Sequence, residues 1–282
     1  MLSDNIILTC IDGSSVSEDV CDYASWIASK ANKPLRLLHT IEHAGTPPVS
    51  DLTGTIGLGS QEELLSELTV AEQNHRQLLL QKGQLMLKAA KEHVVSAGSF
   101  GPEVVLQHGS LIESLIDMED EIRVLVIGIR GEGHEHTEGN STKLESVIRA
   151  LHKPILVVNK HYTEPKKIML AYDGSPACKK ALDLVSTKAL FKGVECHIVH
   201  VGDQGETLLE EAKAKLQSVG METQAVQIQG KLPEVLARYQ TENDIDLMAM
   251  GAFSHTRIRN FLLGSFTAKM LATTQKPLLL LR

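Results

Sequence analysis

The sequence predicts an α/β protein made of two tandem copies of one unit, each an open five-stranded parallel sheet with helices on both faces. Three observations carry this expectation. Apolar runs of strand length alternate with longer segments of helical periodicity, the pattern of β-α-β crossovers. Asn5-Ile-Ile-Leu-Thr-Cys-Ile-Asp-Gly-Ser14 returns as Lys167-Ile-Met-Leu-Ala-Tyr-Asp-Gly-Ser175, an offset of 161 residues. Arg123-Val-Leu-Val-Ile-Gly128 returns as Asp246-Leu-Met-Ala-Met-Gly251, and Lys153-Pro-Ile-Leu-Val-Val158 as Lys276-Pro-Leu-Leu-Leu-Leu281, both offset by 123. Internal repetition at fixed offsets means duplicated architecture. The difference between the offsets leaves 38 extra residues in the first copy.

Taken in order, strands are expected at 5–12, 35–41, 103–108, 123–128 and 154–159 in the first copy. Helices between them begin near Ser15, Glu62, Ser110 and Ser141. The second copy repeats the scheme, with strands near 167–173, 195–201, 223–229, 246–251 and 277–282. Near-continuous apolar runs such as 123–128 suit strands buried on both faces. The first domain is therefore expected over 1–160, with a longer helical insert at 43–98, and the second over 164–282. The connector Asn159-Lys-His-Tyr-Thr-Glu-Pro165 is short and proline-ended, so the domains should pack as a pseudo-twofold pair and not swing freely.

The insert opens with a Gly/Pro-rich loop and leads into a helix from about Gln61 to Ala97. Leu64, Leu68, Ala71, Leu78, Leu85 and Ala89 form an amphipathic stripe along it, interrupted by His75 and Lys82. The favoured expectation is a helix covering its own sheet; the other is a surface that docks a partner.

A length of 282 residues suits two domains, and 43% hydrophobic with 22% charged residues suits a soluble globular protein. A net charge of -7 argues against general nucleic-acid binding, so any polyanion must be held locally. Met1-Leu-Ser-Asp4 has no basic segment of the kind that opens a secretory signal, and no apolar run approaches the roughly 20 residues that span a bilayer. A cytoplasmic location is expected, without nucleic-acid or membrane partners. Cys10, Cys21, Cys178 and Cys196 show no Cys-x-x-Cys spacing and read as small buried hydrophobes.

In an open α/β sheet, ligands bind outside the C-terminal strand ends, where the strand order reverses. Both Asp-Gly-Ser turns and the glycines after 123–128 and 246–251 fall at that edge. The second copy reads Gly251-x2-Ser254-x9-Gly264-Ser265, a loop and a helix start whose amides can converge on a phosphate. From Leu247 to Arg282 there is no Asp or Glu, whereas His255, Arg257, Arg259 and Lys269 are present. An incoming polyanion meets no fixed negative charge from this segment.

The first copy reads Gly128-x2-Gly131-x9-Ser141-Thr142, but its loop carries Glu132, Glu135 and Glu138. Three carboxylates beside a triphosphate repel it by roughly 1 kcal/mol or more each. His134 and His136 in that loop invite a metal reading, yet they lack a matching Cys or His-Glu-x-x-His spacing, and a polar surface loop is preferred.

The pattern Gly-x2-Gly-x9-Gly-Ser/Thr after an apolar strand, with an Asp ending the domain's first strand, resembles the universal stress protein family. In duplicate it resembles the tandem type of that family. The resemblance implies Rossmann-like domains and the binding of ATP or a related adenine nucleotide, with Mg where the nucleotide carries it, as a regulatory ligand in stress survival. It further implies that Asp173 and Val201 frame the ribose and adenine, that Met250 lines the base pocket, and that Gly251, Gly264 and Ser265 hold phosphates, with Ser254, His255 and Arg257 in the same loop. Asp12, Gly128, Gly131, Ser141 and Thr142 would be a degenerate second site.

No catalytic constellation is present: there is no Gly-x-Ser-x-Gly elbow and no Gly-x4-Gly-Lys-Ser/Thr loop. The expectation is binding without dedicated catalysis, beyond slow incidental ATP hydrolysis. Its rivals are a nucleotide-free scaffold that docks a partner through the pseudo-dimer surface and the long helix, and an enzyme dependent on Asp173. A further association into homodimers is left open.

Overall fold

The computed structural model describes residues 6–42, 58–99, 101–129, 139–187, 189–251 and 265–281. The first half runs β1 (Ile6–Cys10), α1 (Ser17–Ala31), β2 (Leu35–Ile41), α2 (Leu58–Ser96), β3 (Glu103–His108), α3 (Leu111–Asp117), β4 (Ile122–Gly128), α4 (Gly139–Ala150) and β5 (Ile155–Val158). The second runs β6 (Lys167–Ala171), α5 (Pro176–Thr187), β7 (Glu195–Val201), α6 (Glu206–Ser218), β8 (Thr223–Ile228), α7 (Leu232–Glu242), β9 (Leu247–Gly251), α8 (Ser265–Thr273) and β10 (Leu278–Leu281). Local chemistry fixes the helix ends. Glu18 and Asp19 in the first turn of α1 and Lys30 in its last complement the helix dipole, and Asn32 closes the helix in the left-handed region. The Ser110 hydroxyl caps α3 by accepting from the Ile112 amide.

All ten strands join one sheet in the order β3-β2-β1-β4-β5-β10-β9-β6-β7-β8. Pairing is parallel within each half, as expected from the crossovers. The one antiparallel pairing among them is between β5 and β10, with Leu278 opposite Val157, Leu279 opposite Leu156 and Leu280 opposite Ile155. The halves are thus fused edge to edge, and the strand order of the second half mirrors that of the first. Fusion here removes two edge strands that would otherwise invite pairing with other chains.

Alternate residues of the strands feed two cores, one on each face. Ile7, Leu37, Val126, Leu156, Leu170, Ile198, Ala249 and Leu279 pack with α1, α2, α5 and α6. Leu8, Leu38, Leu125, Val157, Met169, Met248 and Leu280 pack with α3, α4, α7 and α8. Both cores run across the join, so neither half owns a separate interior. The connector is pinned as well. The Tyr162 amide donates to Asp19 Oδ1 at 2.7 Å, Tyr23 and Tyr162 meet edge to face at 4.8 Å, and Lys30 pairs with Glu164 at 3.0 Å. Asn159 Nδ2 reaches across to the Thr274 carbonyl at 2.9 Å.

Helix α2 meets the favoured expectation in part: among its described side chains, those of the C-terminal part cover the sheet, through Gly83, Leu87, Ala90 and Val94. A Cβ at Gly83 would come within 2.8 Å of the His39 ring and 3.0 Å of Leu106, so the glycine marks where helix and sheet approach most closely. His93 Nε2 lies 2.7 Å from Asp22 and ties this end to α1. The apolar stripe through Leu68, Leu78 and Leu85 points to solvent, with exposures of 49%, 63% and 66%.

Candidate nucleotide site

The C-terminal edge of the sheet is built twice from the same parts. Beyond β1, Asp12 Oδ1 accepts from the Ser14 amide at 3.0 Å and from the Ser17 hydroxyl at 3.2 Å. Beyond β6, Asp173 Oδ1 accepts from the Ser175 amide at 2.9 Å. Gly13 and Gly174 both adopt φ of 75°, which lets the chain turn back under the carboxylate. Each turn is stapled to the next strand by a histidine. His39 Nδ1 donates to the Ile11 carbonyl at 2.6 Å and His200 Nδ1 to the Tyr172 carbonyl at 2.9 Å. These histidines, 161 residues apart like the aspartates, were not singled out as site-shaping residues; the shared offset was the signal that marks them.

A cavity of about 330 Å³ opens at this edge in the first half, between β1 and β4, where the strand order reverses. That is the size of a small-molecule pocket. It is lined by Asp12, Thr40, Ile127, Gly128, Lys143 and Val147, among others. By the repeat offsets, Asp12, Thr40, Ile127 and Gly128 are the counterparts of Asp173, Val201, Met250 and Gly251. The four described residues expected to frame a nucleotide in the second half are therefore those whose equivalents wall a cavity in the first.

In the second half, Asp173 and Val201 are part-buried at the strand ends. Met250 is 1% exposed and belongs to the core beneath them, with Met270 and Leu271. Gly251 has a packing reason of its own: a Cβ there would meet Ala177 Cβ at 2.8 Å and the Cys178 amide nitrogen at 3.2 Å, at the start of α5. Helix α8 begins at Ser265. Ser254, His255, Arg257 and Gly264, and in the first half Gly131, His134 and His136, lie outside the described residues. Ser141 and Thr142 fall in the first turn of α4.

Lys143, on α4, is a cavity residue that the sequence reading did not single out. Its ammonium is 2.5 Å from Glu42 Oε2. The second half has Phe266 at the equivalent position. A cation at the first cavity is thus offset by a carboxylate at contact distance.

A histidine with two polar partners also occurs at the opposite edge. His197, 2% exposed, lies 2.7 Å from the Tyr239 hydroxyl and 2.9 Å from Glu195 Oε1. Glu195 opens β7, so this chain of groups sits at the N-terminal strand ends, away from the cavity, and acts as a structural tie. The hydrogen bond from His197 is the largest of the influences that hold the Glu195 carboxyl below its usual range. A carboxyl lowered in the native state stabilises the fold above its unfolded value and loses that contribution as pH falls through the native one. Glu195→Gln should therefore melt earlier than wild type near pH 7, with the gap closing below about pH 4. A gap that persists undiminished in acid would contradict this assignment.

All four cysteines are buried, and burial pushes the Cys10, Cys21 and Cys196 thiols up to about 12. None of those three is a thiolate nucleophile at neutral pH. Among the described residues no group of three His, Cys, Asp or Glu is placed to hold a metal, and no helix is long and apolar enough to cross a membrane.

Fold and site together define a class: a fused pair of parallel α/β units, each with an Asp-Gly-Ser turn and a strand-ending glycine at its ligand edge. The profile of the universal stress protein family matches residues 5–159 and 202–282, and the chain belongs to that family. A universal stress protein of Synechocystis is 35% identical over 284 residues, covering 98% of this chain and 99% of that one. A universal stress protein of Mycobacterium bovis is 22% identical over 205 residues, covering 69% of this chain and 62% of that one. The crystal structure of a universal stress protein from Archaeoglobus fulgidus superposes with a TM-score of 0.73 at 18% identity, covering 100% of this chain and 97% of that one, which is a likeness of fold.

Proposed function

We propose that this universal stress protein binds ATP or a related adenine nucleotide as a regulatory ligand, with the second half holding the phosphates and without dedicated catalysis. The observation that carries the reading is the walled cavity of the first half, whose lining residues Asp12, Thr40, Ile127 and Gly128 stand at the positions equivalent to Asp173, Val201, Met250 and Gly251. Charge in the sequence supports placing the phosphates in the second half. The segment from Leu247 onward has no carboxylate and offers His255, Arg257 and Arg259, whereas the corresponding loop of the first half carries three glutamates. Asp173, turned against the Ser175 amide, suits a ribose hydroxyl better than the activation of water. A cytoplasmic setting, where ATP is abundant, accords with this role.

Denaturing the purified protein and quantifying released small molecules by mass spectrometry tests the reading. About one adenine nucleotide per chain is expected, either co-purified or after incubation with ATP. No nucleotide under either condition would leave the partner-docking scaffold as the better account.

A further inference from the structure

Over residues 66–78, α2 stands clear of the other described residues. Every side chain from Ser66 to Leu78 is exposed, and the helix is first partly covered at Leu79. The helix presents Leu68, Leu78 and Leu85 to water at exposures of about half or more, so no described residue covers these leucines. The stripe they belong to has a regular period. Leu64, Leu68, Ala71, His75, Leu78, Lys82, Leu85 and Ala89 follow in alternating steps of four and three. A mean spacing of 3.5 residues is the seam of a two-stranded coiled coil, here about 39 Å long at 1.5 Å per residue.

Charge along the helix says what covers the seam. From Leu58 to His75 the helix carries Glu62, Glu63, Glu67 and Glu72 and no Lys or Arg. From Arg76 to Lys91 it carries Arg76, Lys82, Lys88 and Lys91 and no Asp or Glu. Such a helix is complementary to itself reversed. A parallel pair would set acid beside acid and base beside base.

We propose that two copies of this chain associate through antiparallel pairing of α2, across a twofold axis near residues 76 and 77. In that register Leu68 meets Leu85 of the second copy, His75 meets Leu78, and the Lys82 stem covers Ala71. Glu67 falls beside Lys88 of the second copy and Glu72 beside Lys82. The Lys88 to Glu92 contact within the helix, 3.9 Å between side chains about 70% exposed, is loose enough to yield. The twofold contact uses one patch on both copies, as closed dimers do. No described residue of α2 is among those that line the cavity, so the association stands apart from the nucleotide reading.

Sedimentation equilibrium of the full chain is the test. A dimer at micromolar concentration is expected, and Leu78→Glu with Leu85→Glu should return a monomer with unchanged far-ultraviolet circular dichroism, since both side chains are exposed in the single chain. Glu67→Lys and Lys88→Glu should each weaken association about tenfold, and the two together should restore it. A wild-type monomer at 100-fold higher concentration, a dimer indifferent to the leucine changes, or a double charge reversal that recovers nothing would each overturn the proposal.

Discussion

Gly264→Val is expected to lower the affinity for ATP at least a hundredfold, about 2.8 kcal/mol, while the melting temperature stays within a few degrees of wild type. Helix α8 starts at the next residue, Ser265, and the first amides of a helix lack intrahelical partners. Their N–H groups, with the helix dipole behind them, are the natural holders of a phosphate. Contact between a phosphate and backbone requires that no side chain intervene, and a valine at the entry to α8 adds one at that spot. Isothermal titration calorimetry reads the affinity and a thermal melt reads the fold. Loss of binding alongside a collapse of the melt would mean that the glycine serves packing, as Gly251 does against α5.

Leu279→Ala should destabilise the whole molecule by about 2–5 kcal/mol in guanidinium unfolding, through lost burial and the cavity left behind. Leu279 stands on β10 opposite Leu156 of β5, 4% exposed, on the antiparallel strand pair that joins the halves. It also borders a small hollow of about 20 Å³ walled by Trp26, Leu156, Phe191 and Leu247, drawn from both halves. Truncation enlarges a space that neither half can close alone. Leu279→Met, close in volume, should cost less than about 1.5 kcal/mol. Because both cores cross the join, wild type and variants alike should unfold in one transition. Two separable transitions would show the halves to be independent.

The strands were legible because most are apolar runs bounded by polar turns, and every expected strand lies within two residues of the observed one at either end. The pseudo-twofold packing followed from the duplication and the short connector; its realisation as β5 against β10 did not, since sequence carries no sign of which edges meet. Helix α2 misled for a physical reason. Its fully buried positions begin with Gly83, a residue with no side chain to register in an apolar pattern, while the conspicuous leucine stripe belongs to the other face. The aspartate turns were readable from the repeated Asp-Gly-Ser. The histidine staples and the Lys143 to Glu42 pair were not, because they join residues distant in sequence whose types fit any exposed strand end.

The central claim is that one adenine nucleotide is held at the ligand edge of the second half. Photolabelling with 8-azido-ATP, followed by digestion and peptide mapping, addresses it directly. The account predicts label on peptides from 167–282, competed away by ATP and lost in Gly264→Val. Label confined to peptides that border the first cavity, around Asp12, Thr40 or Lys143, would contradict it.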